Sequence, residues 1–348
     1  MSQTEPAKPK PPRRGRKGKP VFPVRRRRGY SFRRLLRRIG DTAWFHRVVA
    51  WYIRSAIAFG RMLGRRRATA LAAGFTRLIS PLIPENRLGA ANLAAAFPEK
   101  SEAERRKILR GVWDNLARTA IEFAFLDEIF EDFHIHHLDK STVSASGIED
   151  FLRLREDNKP GLIFAAHLAN WEIPAIIARR FHLDVTILFR LPKNSIVAED
   201  LMTRRNELMG NLVPSRLGTV FEIAGVLDRG GHVGMLVDQR RQNSPALPFF
   251  GRPALTSTLF ARLARQYDCP VHGVRAIRKP DGRFHVELTS PVDLPRDAEG
   301  LIDVVAATAV INGIVEGWVR EYPEQWLWVH DRWKGGGRGP TAAGASPA

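Results

Sequence analysis

From about residue 160 onward, short apolar runs alternate with helix-length segments, and this alternation constrains the fold more than any other feature of the chain. Residues 162–166, 185–189, 233–237, 271–277 and 284–288 read as strands. Residues 171–181, 196–210, 219–228, 255–267 and 301–321 read as helices between them. Such alternation implies an α/β fold, a mixed and largely parallel sheet flanked by helices. Upstream, residues 68–140 read as helical, with a long helix starting near Ser101, a plausible N-cap with Glu104 three positions on. No internal repeat is apparent.

Charge divides the chain a second way. Residues 1–67 hold 21 Lys and Arg against two acids, Glu5 and Asp41, and so carry the whole formal charge of +19; the remainder is neutral. The imbalance is therefore an N-terminal device and not a basic face spread over the fold. Residues 1–30 have too few apolar side chains to bury and read as a disordered basic tail. Phe32, Leu35, Leu36 and Ile39 recur at helical spacing among Arg33, Arg34, Arg37 and Arg38, which predicts a short basic amphipathic helix.

Residues 43–63 form a second amphipathic segment. Arg47, Arg54 and Arg61 fall on one stripe, with Phe45, Tyr52, Ala56, Phe59 and Leu63 opposite and Trp44 and Trp51 flanking it. An arginine at mid-membrane costs about 2.5–3.5 kcal/mol on insertion scales, so several make a spanning helix poor and an interfacial one good. A soluble helix packed on the body is the alternative. The expected organisation is a basic tail over 1–30, membrane-associating helices over 31–67, the α/β domain over 68–334 and a disordered tail over 335–348.

The chemistry concentrates in residues 161–172, where an apolar strand ends at His167 and helix signals begin near Asn170, with Pro174 in the first turn. Ligands of open α/β sheets bind outside the carboxyl ends of strands, which is where His167 falls. Glu172, one turn into the next helix, can fold back toward the ring. Imidazole can take the proton of an alcohol as it attacks a thioester, and a carboxylate on the other ring nitrogen fixes the tautomer. The spacing H-x4-[DE] occurs twice, at His167/Glu172 and His134/Asp139, so spacing alone proves nothing; only His167 follows a buried-type strand. A hydrogen-bonded core histidine is the competing reading.

The run His167-Leu168-Ala169-Asn170-Trp171-Glu172 resembles the H-x4-[DE] motif of the lysophospholipid acyltransferase superfamily. More closely, the chain resembles the lipid A biosynthesis acyltransferases, which add lauroyl or myristoyl groups. The resemblance spans about residues 85–334. It runs through Asn92-Leu93, Ala96-Phe97-Pro98-Glu99, Trp113-Asp114-Asn115-Leu116, Phe189-Arg190, Arg204-Arg205, Val237-Asp238-Gln239, Phe249-Phe250-Gly251 and the segment from Pro323 to Lys334. It implies a general base at His167 with Glu172 as partner, and substrate contacts from Arg190, Arg204 or Arg205, Asp238 and Gln239. It also implies an acyl channel packed by the Phe249-Phe250-Gly251 turn. Acyl-acyl carrier protein would be the donor and a Kdo-bearing lipid A precursor the acceptor, at the anionic cytoplasmic face of the inner membrane. Another glycolipid or a lysophospholipid is an alternative acceptor.

No cofactor and no metal is expected: Cys269 is the lone cysteine, and His134, His136 and His137 lack convincing partner ligands. A reading from a different class, a nucleic-acid binder using the Arg-rich tail, is disfavoured by the neutral body, so no nucleic-acid partner is expected. The tryptophans Trp326, Trp328 and Trp333 read as structural.

Overall fold

The computed structural model describes residues 42–131, 141–190, 194–216 and 218–336. The tail over 1–30, the helix expected around Phe32–Ile39, the histidines His134, His136 and His137, and the tail from 337 onward lie outside the described residues. Two compact units are present, Met1–Phe45 and His46–Ala348; the sheet and its flanking helices belong to the second.

The first half is helical. Helices α1 (Ala43–Leu63), α2 (Arg65–Ile79), α3 (Pro84–Ala96) and α4 (Glu102–Glu122) are followed by a 3-10 turn at Phe123–Phe125 and the short α5 (Leu126–Ile129). The start of α4 is fixed by the expected reciprocal cap. The Glu104 N–H donates to the Ser101 hydroxyl at 3.3 Å while the Ser101 N–H donates to the Glu104 carboxylate at 2.7 Å.

The α/β part runs β1 (Val143–Ser146), α6 (Ile148–Glu156), β2 (Gly161–Ala165), α7 (Ile173–Arg180), β3 (Val185–Phe189), α8 (Ser195–Met209), β4 (Leu212–Pro214), α9 (Thr219–Asp228) and β5 (His232–Leu236). A hairpin of β6 (Ala246–Phe249) and β7 (Arg252–Leu255) comes next, then α10 (Leu259–Tyr267), β8 (Val271–Arg278), β9 (Phe284–Leu288) and α11 (Val304–Glu321). Seven strands make one sheet in the order β1-β9-β8-β2-β5-β3-β4, parallel at every pairing but β8–β9. All five expected strands are present. Strands β1 and β4 and the hairpin leave no clear apolar run in the sequence because each strand is only three or four residues long. The helix expected from 255 starts at Leu259 because 252–255 pairs with 246–249 instead.

Alternate residues of the strands face two layers. Leu162, Phe164 and Val233 pack against α9, α10 and α11 through Leu227, Phe260 and Trp318. Ile163 and Val185 face α6 and α7 through Leu154 and Ala178, with Met209 of α8 nearby. The hairpin turns on Phe250 and Gly251, both at positive φ (54° and 64°), as a two-residue turn needs to follow strand twist. The resemblance implied that this turn packs an acyl channel. Instead Phe249 and Phe250 are buried against Trp326, Trp328 and Trp333, at ring separations of 5.5–6.5 Å, on the side of the sheet opposite Ile163 and Val185.

Candidate active site

Parallel pairing builds the centre of the site. Ala165 of β2 is in register with Leu236 of β5, and the Val237 N–H donates to Ala165 O at 3.0 Å. Two residues beyond each of those strand ends lie His167 and Asp238, which the register therefore carries side by side. The Asp238 carboxylate accepts from His167 twice: from the backbone N–H at 2.9 Å and from ring Nδ1 at 2.7 Å. The Trp326 indole N–H donates to the same carboxylate at 2.8 Å. Asp238 is 3% exposed, and burial alone would raise its carboxyl; attraction to His167 and the three donors outweigh that and hold it at about 2. An ionised Asp238 on Nδ1 requires a proton there, so a neutral ring presents Nε2 as a base, where the Gln239 amide donates at 3.1 Å.

The expected pairing of His167 with Glu172 is therefore corrected. The carboxylate on Nδ1 is Asp238, and Glu172 is held by Arg205 of α8 in a two-pronged ion pair, one prong being Nε to Oε2 at 2.9 Å. Proximity in sequence suggests Glu172; strand order, which no local pattern reports, selects Asp238.

The loop between β2 and α7 is tightly anchored. Ala169 adopts a positive φ of 47°. Its carbonyl accepts from Thr119 Oγ1 at 3.0 Å and Asn115 Nδ2 at 3.4 Å, and its N–H donates to Gln325 O at 3.0 Å. Asn170, near which the sequence signals a helix start, is fully buried. Its amide donates to Glu122, itself ion-paired with Arg278, and its Oδ1 accepts the Glu172 N–H at 3.3 Å, one turn ahead of a helix that begins at Ile173.

His167 and Gln239 line a cavity of about 500 Å³ where strands β2 and β5 end. Its floor is one face of the sheet, from Phe189 and Ile187 through Ile163 to Val286 of β9; α6, α7 and α8 roof it with Phe151, Ile177, Phe181 and Leu201. Trp171, Glu172, Arg190 and Arg205 share the wall near His167, and the Trp171 ring lies 5.0 Å from the imidazole. Gly234 lies beneath this space, where an added Cβ would sit 3.1 Å from Val185. Volume and apolar lining match a site for a long hydrocarbon with polar groups at one end.

The two adjacent arginines separate cleanly. Arg205 reaches the cavity; Arg204 turns away, donating to Phe123 O at 3.0 Å, Ala124 O at 3.2 Å and Asp127 at 2.9 Å. Arg190 is exposed at the cavity and has no hydrogen-bond or ion-pair partner among the described residues.

The sequence model of the bacterial lipid A biosynthesis acyltransferases matches residues 41–335. The chain belongs to that family. The lipid A biosynthesis palmitoleoyltransferase of Escherichia coli (strain K12) is 24% identical over 257 residues, covering 70% of this chain and 76% of that protein. The lipid A biosynthesis lauroyltransferase of the same organism is 24% identical over 256 residues, covering 70% and 77%. A lipid A biosynthesis acyltransferase of Shigella flexneri matches at 24% over 257 residues. As a member of an acyltransferase family the chain is a transferase, and its long apolar cavity beside a histidine suits that chemistry. Trp326, expected to be structural, is buried as such and also touches Asp238. A tryptophan among apolar neighbours gives no sign in sequence of where its N–H will point.

Proposed function

We propose that this acyltransferase moves an acyl chain from an acyl carrier protein thioester to a hydroxyl of a lipid A precursor, with His167 as general base. The observation that carries the reading is the placement of His167 in the lining of the apolar cavity, with Nδ1 tied to a buried, ionised carboxylate. The donor chain lies along the sheet face. The acceptor hydroxyl replaces the Gln239 amide at Nε2. As its oxygen attacks the thioester carbonyl, the hydroxyl proton passes to Nε2 and Asp238 stabilises the imidazolium. The C–O bond forms, the C–S bond breaks, and the proton leaves with the thiolate. Glu172 is a positioning residue, holding Arg205 and the start of α7 beside the ring. Arg190, uncommitted, is suited to a phosphate of acceptor or donor.

The enzyme works at the cytoplasmic face of the inner membrane. Arg54 of α1 pairs with Asp200 at 2.7 Å and Arg61 with Asp127 at 3.1 Å, so this part of the arginine stripe turns toward the body. Trp51, Tyr52, Phe59 and Met62 are left 60–85% exposed, and Leu71, Phe75 and Leu78 of α2 are 60–76% exposed. Exposed apolar surface of this extent suits a bilayer interface. Among the described residues no helix is long and apolar enough to cross a membrane.

The decisive experiment incubates purified enzyme with acyl carrier protein bearing 12- or 16-carbon chains and a Kdo-bearing lipid A precursor, and reads product mass. Acyl addition lost in folded His167→Ala supports the reading. No acyl addition by the wild type, or transfer that survives His167→Ala, overturns it. Acyl-coenzyme A in place of the carrier protein tests the donor.

A further inference from the structure

A second cavity, of about 490 Å³, lies between α1 and α4. Ile53, Ala56 and Gly60 of α1 form one side; Leu116, Ala120 and Ile121 of α4 form the other. At its inner end are Trp171, Glu172 and Arg205, the same three side chains that wall the main cavity beside His167. At its rim is Tyr52, which is 69% exposed and belongs to the apolar surface of α1.

We infer that this groove binds a hydrocarbon chain already carried by the acceptor lipid, delivering the acceptor hydroxyl to His167 from the side opposite the donor chain. The inference rests on the acyl-transfer reading above. The geometry of the two cavities supports it. Joining two lipids at one imidazole needs two apolar channels that converge there, and the two cavities share their inner wall at Trp171, whose ring is 5.0 Å from His167. The groove is continuous through Tyr52 with the surface that suits a bilayer, so a chain can slide in without crossing water. The main cavity is a poor place for the acceptor chain, because a chain there would take the space on the His167 side that the donor needs. Small residues, Ala56, Gly60 and Ala120, are among those lining the groove. The helix that forms the outer wall is itself fastened to α8, the helix bearing Arg205, by the Arg54–Asp200 pair.

Photo-crosslinking tests this on the full chain in phospholipid vesicles. One probe is a lipid A precursor with a diazirine at the end of an acyl chain; the other is an acyl carrier protein thioester with a diazirine at the chain end. Adducts of the first on 53–60 and 116–121, and of the second on the strands and helices around Ile163 and Phe181, support the assignment. Acceptor-chain adducts confined to the main cavity, or to the outward side chains of α1 alone, overturn it. Ala120→Trp, which fills the groove from α4, is expected to cut acceptor adducts at least fivefold and raise the acceptor KM about tenfold, leaving the donor KM unchanged. Equal effects on both substrates would count against the groove. Adduct maps do not depend on turnover. A protein that shows the expected map but transfers no acyl group would therefore keep the groove and refute the catalytic reading.

Discussion

Two buried carboxylates flank His167 differently: Glu172 lines the cavity, and Asp238 lies behind the imidazole, outside the cavity lining. Glu172 lies five residues after His167 and is neutralised by a guanidinium; Asp238 lies 71 residues away and is bonded to the imidazole itself. Both are under 10% exposed. Their difference shows that in this parallel sheet the register of neighbouring strand ends, not distance along the chain, chooses the partner of His167. A carboxylate bonded to imidazole keeps a proton on one nitrogen and a lone pair on the other. A carboxylate bonded to arginine fixes a wall.

The sharpest way to break this comparison is to remove the two charges separately. Asp238→Asn is expected to lower kcat by about 10³–10⁴-fold with little change in KM, because the amide favours the wrong tautomer. Glu172→Gln is expected to lower kcat about tenfold or less and to act mainly on acceptor KM. Steady-state kinetics on both variants, with folding checked by circular dichroism, decides. If Glu172→Gln costs as much as Asp238→Asn in a folded protein, the roles assigned to the two acids are wrong.

Stability should show the reverse order of sensitivity. Arg205→Ala strands Glu172 as a buried, uncompensated charge, which costs roughly 3–5 kcal/mol. The double variant Glu172→Leu/Arg205→Met removes both charges at similar volume and is expected to regain most of that loss while leaving acceptor binding impaired. Thermal unfolding of the single and double variants measures the difference; equal destabilisation by both would show that the pair does not act as a unit.

The parts of this site legible in the sequence are those written locally. An apolar run ending at His167 marks β2 and places the histidine at a strand end; the capping box marks the start of α4. Asp238 and Gln239 stand out only through the family resemblance. Strand order is not legible, because a strand's apolar pattern says that it is buried and nothing about which strand lies beside it. That is why β5 next to β2, and Asp238 on Nδ1, emerge only in three dimensions. The Glu172–Arg205 pair depends on where α8 crosses α7. The Phe249–Phe250 turn looks the same in sequence whether it lines a channel or packs a core; the difference lies in which side of the sheet Trp326, Trp328 and Trp333 cover.

Trp326 tests the comparison more gently. Trp326→Phe keeps an aromatic ring in the core but removes one of three donors to Asp238. A hydrogen bond to a charged group is worth about 1.5–3 kcal/mol, so the carboxyl should rise from its value of about 2. Activity at neutral pH is expected to fall about three- to tenfold. A purely structural role would lower stability without moving the pH profile, so the diagnostic result is an acid limb shifted upward in kcat against pH.

The smallest effect concerns which groups make stability depend on pH. Asp238 is ionised in the fold with a carboxyl at about 2, below its ordinary 3.8, so its contribution is complete above about pH 4 and is lost only as pH falls toward 2. Two buried histidines, His232 and His272, and the half-buried His330 behave differently. Burial lowers His232, His272 and His330 below the ordinary imidazole value. Their unfolded forms then bind more protons than the folded ones as pH drops through 6.5, so stability falls across that range. Lowering pH from 7.5 to 5.5 should therefore reduce the unfolding temperature of the wild type. Asp238→Asn should show the same decline over that interval, and His272→Gln, which replaces one buried imidazole by a group that does not titrate, a shallower one. If Asp238→Asn flattened the curve between pH 7.5 and 5.5, the carboxylate would be taking up its proton far above 2, and its assignment as the fixed charge behind His167 would fail.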